Sequence, residues 1–195
     1  MTDLPARDPT TCVACALCRG RSRVVLPDGP VGGLMAVGEA PGRQEDEQGV
    51  GFAGPAGRTL DRVLAEHGLG RRDYARTNVV RCRPPDNRRP RRAEIAACQP
   101  WLTATLEAFA PRVLLAVGQT ATAQLLPYWT NRHLERLDAL LERPSGDGEL
   151  PVYQGIPVVP MPHTSGLAWN RRTPDGRPIS ELGHRAVARA VAMLD

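Results

Sequence analysis

Residues 33–42 read Gly33-Leu34-Met35-Ala36-Val37-Gly38-Glu39-Ala40-Pro41-Gly42. The apolar run is a short buried strand, and it passes straight into a turn of glycine and proline. Working outward, residues 55–67 put Ala56, Leu60, Val63, Leu64 and His67 on one face at helical spacing. Residues 77–82 read as a second strand, stopped by Pro84-Pro85, and 92–109 as a helix with Ile95, Cys98, Leu102 and Phe109 on one stripe. A third strand spans 113–117, and Gly118 turns it into a helix ending near Leu126. Residues 151–160 hold one or two short strands, and 182–194 a last helix with Val187, Ala190, Val191 and Leu194 inward. Strand and helix in alternation predict an α/β domain of three layers, a parallel sheet with helices on both faces.

The chain has 195 residues, the size of a single domain that buries roughly 70 % of the surface of its unfolded form. Two stretches fit the alternation poorly. Residues 127–150 read as an insertion, with an amphipathic turn through Leu134, Leu137, Leu140 and Leu141 before the loose Pro144-Ser145-Gly146-Asp147-Gly148. Residues 161–178 are too rich in turn formers for an element, and long loops past strand ends are where α/β proteins keep their sites. No apolar run approaches the ~18 residues of a membrane span. Neither a basic flank nor an apolar stretch marks a secretory signal, so a cytoplasmic protein is expected.

Net charge is +4, and every one of the 25 basic residues is arginine. Nine arginines and two aspartates fall within 71–92, a local +7 that leaves the rest of the chain at −3. A solvated face accounts for such a surplus, but its concentration favours a polyanion site built on Arg81, Arg83, Arg88, Arg89, Arg91 and Arg92.

Five cysteines, Cys12, Cys15, Cys18, Cys82 and Cys98, argue by their odd number against a disulfide framework. Four thiolates can hold a tetrahedral zinc or an iron-sulfur cluster. The first three follow C-x2-C-x2-C spacing, but Cys82 and Cys98 are single residues where a zinc ribbon brings a second tight pair. That leans toward a cluster, with zinc and plain buried thiols as the alternatives.

Glu39, Phe52, Asn78 and His163 all fall at or just beyond predicted strand ends, the edge at which doubly wound sheets bind ligands. An aromatic to stack, an amide to read a donor and acceptor pair, and an imidazole to support charge on a carbonyl oxygen suit a planar heterocycle. Core packing for Phe52, a loop bond for Asn78, a turn for His163 and a helix-start carboxylate for Glu39 are the plainer readings. No Walker motif occurs, since no Gly-Lys-Ser or Gly-Lys-Thr is present, which argues against nucleotide-triphosphate hydrolysis.

These residues carry a resemblance. Gly38-Glu39-Ala40-Pro41-Gly42, Glu45-Asp46, 49–54 with Phe52, Ala56-Gly57, 77–88, Glu94, Cys98 and Leu115-Ala116-Val117-Gly118 with Ala121 resemble, in order and spacing, the iron-sulfur uracil-DNA glycosylases of family four. The resemblance implies a central four-stranded parallel sheet and a [4Fe-4S] cluster on Cys12, Cys15, Cys82 and Cys98, with Cys18 spare. It implies that Phe52 stacks on uracil and Asn78 reads its edge. Ala40 lends its backbone, His163 donates to O2, and Glu39 orients water or the developing cation. It also implies a wedge just after Ser165, for which Leu167 and Trp169 compete, with Arg171 and Arg172 clamping phosphates.

Three departures stand out. The second motif reads His163-Thr164-Ser165-Gly166 where the family has His-Pro-Ser, Gly51 stands where a proline commonly precedes the phenylalanine, and 127–150 has no counterpart. A related subgroup traps uracil-DNA through a histidine between the last two cluster cysteines, and none occurs here. The expectation is a monomeric glycosylase that excises uracil from DNA in base-excision repair. The alternative is a module that binds deaminated or damaged DNA with weak or no cleavage.

Overall fold

A computed structural model describes residues 8–129, 133–142 and 150–194. The decisive stretch forms β1 (Leu34–Gly38), followed by a short α1 (Arg43–Gln48) and by α2 (Pro55–Glu66). Next come β2 (Ala75–Asn78), α3 (Arg92–Phe109), β3 (Val113–Val117) and α4 (Gln119–Leu125). The remainder is α5 (His133–Glu142), β4 (Val152–Tyr153), β5 (Ile156–Met161), α6 (Gly166–Trp169) and α7 (Ile179–Val191). Among the described residues no helix is long and apolar enough to cross a membrane.

The sheet runs β2-β1-β3-β5-β4. Four strands are parallel, with Val37 beside Thr77, Met35 beside Leu114 and Leu115 beside Val159. The fifth corrects the expected four: β4 folds back antiparallel on β5, pairing Val152 with Pro157. Its tight turn uses Gln154 and Gly155, both at positive φ (51° and 82°), as two-residue hairpins require.

Alternation along the strands sorts the core into two layers. Met35, Val37, Leu114, Ala116 and Val158 pack with Cys98, Leu102 and Leu106 of α3 and Ala121 and Leu125 of α4. Leu34, Ala36, Leu115, Val117 and Val159 pack with Leu60, Val63 and Leu64 of α2 and Ala186, Val187 and Ala190 of α7. Strand β1 lies between β2 and β3: the chain leaves it toward β2 on one side and returns as β3 on the other. The crevice at the carboxyl ends of β1 and β3 is therefore the switch point at which such sheets bind ligands.

Other departures from the sequence reading have physical causes. The second strand starts two residues earlier than expected, because Arg76 exchanges backbone bonds with Asp28. It ends at Asn78, because Val79 and Val80 donate to the carbonyls of Gly38 and Glu39, beyond the last sheet pair. Helix α1 was not expected: Arg-Gln-Glu-Asp-Glu-Gln has no apolar period, and capping at Gly42 by Glu45 supports it instead. One turn of helix, α6, interrupts the expected loop 161–178. Within 127–150, Leu137 is fully buried and Asp138 pairs with Arg177 and Arg185, which seats α5 against the rest of the fold. The run Pro144-Ser145-Gly146-Asp147-Gly148 lies outside the described residues, as does the side chain of Leu134.

Candidate active site

At the carboxyl edge of the sheet lies a cleft of about 540 Å³, lined by Glu39, Ala40, Phe52, Asn78, His163 and Ser165 among others. That size suits a small ligand such as one nucleobase and its sugar. The sequence-predicted pocket residues thus come together from four segments up to 124 positions apart in the chain.

Each is held by its surroundings. Gly38 ends β1, and a Cβ there would stand 2.3 Å from Asn78 Oδ1 and 2.7 Å from Phe52 Cζ, so only glycine lets amide and ring meet at the floor. Helix α2 approaches so closely that a Cβ on Gly57 would lie 1.8 Å from the carbonyl oxygen of Phe52. Glu45, buried, accepts from the N–H of Gly42 (3.0 Å) and of Gly54 (2.7 Å), tying together the two glycine-rich segments of the cleft wall.

His163 follows β5 by two residues and is half-buried. Its Nδ1 accepts from the N–H of Ser165 at 3.1 Å. The neutral ring therefore carries its proton on Nε2, where it is a donor. Burial lowers the His163 pKa, Glu39 opposes that, and nearby Arg89 reinforces it, so the ring is neutral at pH 7. Gly118, at φ +86°, makes room for it: a Cβ would lie 2.9 Å from His163 Cδ2. Thr164, in place of the expected proline, is wholly buried, and among the described residues its hydroxyl has no partner.

Sequence reasoning gave no role to Thr120, Glu45 or Arg71. The Thr120 hydroxyl, at the start of α4, donates to Glu39 Oε2 and fixes the carboxylate at the switch point. Glu three residues after Gly42 was a legible capping signal, whereas nothing local announces the long-range partners of Thr120 or Arg71.

The basic segment is smaller than its charge count. Arg81 is a correction: it is buried, donates to the carbonyl of Trp101 at 2.9 Å and to the Thr105 hydroxyl, and lies over the Trp101 ring, so it has no surface from which to meet a phosphate. Arg71 pairs with Asp61 and Arg76 with Asp28. Arg88 lines the cleft but is bidentate to Glu94, at 2.6 and 2.8 Å. That hydrogen bonding, against the penalty of burial, holds the Glu94 carboxyl down at about 2. Arg89, Arg91 and Arg92 are exposed and Arg83 half-exposed, its Nε on Asn87. Past His163, Arg171 and Arg172 are exposed as well.

The wedge candidates separate cleanly. Trp169 is buried against α7, filling the space over Gly183, where a Cβ would lie 2.2 Å from the indole. Leu167 is 87 % exposed on the first turn after Ser165.

Cys12, Cys15, Cys18, Cys82 and Cys98 line one small cavity together with Arg21 and Arg81. Arg21 donates to the carbonyl of Cys12 (2.7 Å) and to Cys82 Sγ (3.4 Å). The Asp46 carboxylate accepts from the N–H groups of Ser22 and Arg23, which anchors this amino-terminal segment to α1. Among the described residues no three thiols, imidazoles or carboxylates converge on a point where a single metal ion could sit.

Comparison with known proteins bears on the same residues. The chain is 41 % identical over 125 residues to a type-4 uracil-DNA glycosylase of Saccharolobus solfataricus, covering 63 % of this chain and 58 % of that protein. It is 40 % identical over 145 residues to one of Pyrobaculum aerophilum, covering 74 % and 69 %, and 44 % identical over 111 residues to one of Thermotoga maritima, covering 56 % and 58 %. The matches thus span little more than half to about two thirds of those relatives' length. A family model for the uracil DNA glycosylase superfamily matches residues 29–183, from the turn before β1 into α7, and takes in the whole cleft. With sheet order, cleft and family model in agreement, the chain belongs to the uracil-DNA glycosylase superfamily.

Proposed function

We propose that this chain removes uracil from DNA by breaking the bond between C1′ and N1. The observation that carries the reading is the pairing of a neutral His163, its Nδ1 satisfied by Ser165, with Phe52 and Asn78 in one cleft. A deoxyuridine flipped from the helix stacks on Phe52 and offers its polar edge to the Asn78 amide and the backbone at Ala40. The C1′–N1 electron pair departs with uracil, and the negative charge that gathers on O2 is met by the Nε2 proton of His163. Glu39, steadied by Thr120, orients the water that adds to C1′ and accepts the proton that water sheds. Release of free uracil from uracil-containing DNA under single-turnover conditions tests this. Tight binding without release would instead favour the alternative of a module that recognises deaminated DNA.

For the cluster implied by the family resemblance, the residues fit. Four sulfurs around one zinc at about 2.3 Å stand about 3.8 Å apart, whereas a four-iron cube takes each thiolate at its own corner and spreads them. The cavity with Arg21 and Arg81 on its wall suits such a negatively charged group. Cys12, Cys15, Cys82 and Cys98 would hold a [4Fe-4S] cluster, which supplies a structural pin between the amino-terminal segment and α3. Cys18 lines the same cavity as the spare thiol. Anaerobically purified protein is expected to hold about four irons per chain, and Cys98→Ser to lose them. Stoichiometric zinc without iron overturns the assignment.

DNA contacts in this reading fall to Arg83, Arg89, Arg91 and Arg92 on one side of the cleft, with Arg88 at its wall, and to Ser165, Arg171 and Arg172 on the other. Leu167 is the wedge that fills the gap left by the flipped nucleotide. Leu167→Ala is expected to slow excision from duplex by about tenfold and from single strands by under about twofold, since a single strand has no stack to open. Equal slowing on both substrates removes Leu167 from the mechanism.

A further inference from the structure

Phe52 sits at φ +54°, in the left-handed region, although it is not glycine. Such a conformation persists only where the surroundings over-determine it. Residue 51 offers no stiffening, because Gly51 stands there and a Cβ on it would meet nothing closer than 3.8 Å. What holds the turn is a side chain twenty residues away. Arg71 Nη2 donates to the carbonyl of Gly51 at 2.8 Å and Nη1 to that of Phe52 at 3.2 Å. The guanidinium is in turn oriented by Asp61 of α2, at 2.8 and 3.1 Å. The Tyr74 hydroxyl donates to the same carboxylate, and burial raises the pKa of that phenol, keeping it a donor. Arg76 donates to the carbonyl of Arg71 at 2.7 Å, so both ends of the residue are fixed.

The geometry points to Arg71 as the positioning residue for the base platform: with Asp61 it locks the 51–52 turn so that the Phe52 ring faces the cleft before any base arrives. This inference rests on the proposed reading of Phe52 as the surface on which uracil stacks. A planar fork that bonds two successive carbonyls from two different nitrogens while paired with a carboxylate is not matched by lysine, whose three donors all radiate from one nitrogen. Arg71→Lys therefore keeps a cation beside Asp61 and removes the double clamp.

Two measurements on the full chain decide the matter: amide hydrogen exchange over 49–57, and inhibition by free uracil. Arg71→Lys is expected to speed exchange in that segment about tenfold with β1 and β3 unchanged. The uracil inhibition constant rises about tenfold, while affinity for duplex bearing an abasic site, which presents no base, stays within about twofold. Arg71→Ala moves the same quantities further where it folds, and Asp61→Asn moves them less. Unchanged exchange over 49–57 in Arg71→Lys overturns the clamp. Faster exchange across the whole sheet also overturns it, by making Arg71 a general structural residue, as does faster local exchange with an unchanged inhibition constant. A wild-type chain indifferent to uracil sinks the reading of the substrate instead, and local exchange alone then judges the clamp.

Discussion

Replacing His163 by alanine is expected to lower single-turnover uracil release by about 100- to 1,000-fold while leaving affinity for duplex DNA nearly intact. The magnitude is that of losing one donor to a developing oxyanion in a water-poor site. Affinity survives because, in the proposed reading, His163 meets only the flipped base and the exposed arginines meet the backbone. The same ring predicts a pH profile. Burial depresses its pKa, so the neutral form persists below the ordinary histidine value of about 6.5. A proton forced onto Nδ1 would face the Ser165 N–H, donor against donor, and break the turn that aims the ring. Release is therefore level from about pH 8 to 6.5, with its acid limb below that value. The stability contribution has the same sign: it is present above the unfolded pKa and lost as pH falls through the depressed folded one. Undiminished cleavage by His163→Ala would place the catalytic donor elsewhere.

Gly38→Ala is expected to abolish uracil inhibition and cut release by more than about 100-fold with only a small fall in melting temperature. The added Cβ collides with Asn78 Oδ1 and Phe52 Cζ, which are side-chain atoms. They can turn away, so the fold survives, but the place they leave is the one the base would occupy. Gly57→Ala makes the contrast. There the collision, at 1.8 Å, is with the backbone oxygen of Phe52, which cannot rotate aside. The expected loss is about 3 kcal/mol or more of stability, seen as a shifted denaturant midpoint. Wild-type uracil affinity in Gly38→Ala would show that the base does not lie between Asn78 and Phe52.

How much of this was legible differs by element. The helix over 92–109 and the strand over 113–117 appear end to end as read, because each carries an unbroken apolar pattern. Helix α1 carries none and was missed. Strand β2 was misplaced because Ala75 and Arg76 look unremarkable until Met35 and Ala36 of β1 pair with them and Asp28 bonds Arg76 from the other side. The pocket residues were found because glycine-rich turns at strand ends mark the ligand edge of any such sheet.

Strand alternation, the cysteine spacing and the placement of Glu39, Phe52, Asn78 and His163 at strand ends were determined by the sequence alone, since each is a short-range pattern. Only the tertiary structure decided which arginines are free: Arg81 finds Trp101 and Thr105 across α3, Arg71 finds Asp61, and Arg88 finds Glu94. It also decided that Trp169 is buried and Leu167 exposed, through the space that Gly183 leaves under the indole. The physical reason is the same in each case. A side chain's exposure is set by neighbours distant in the chain, and period and spacing carry no information about them.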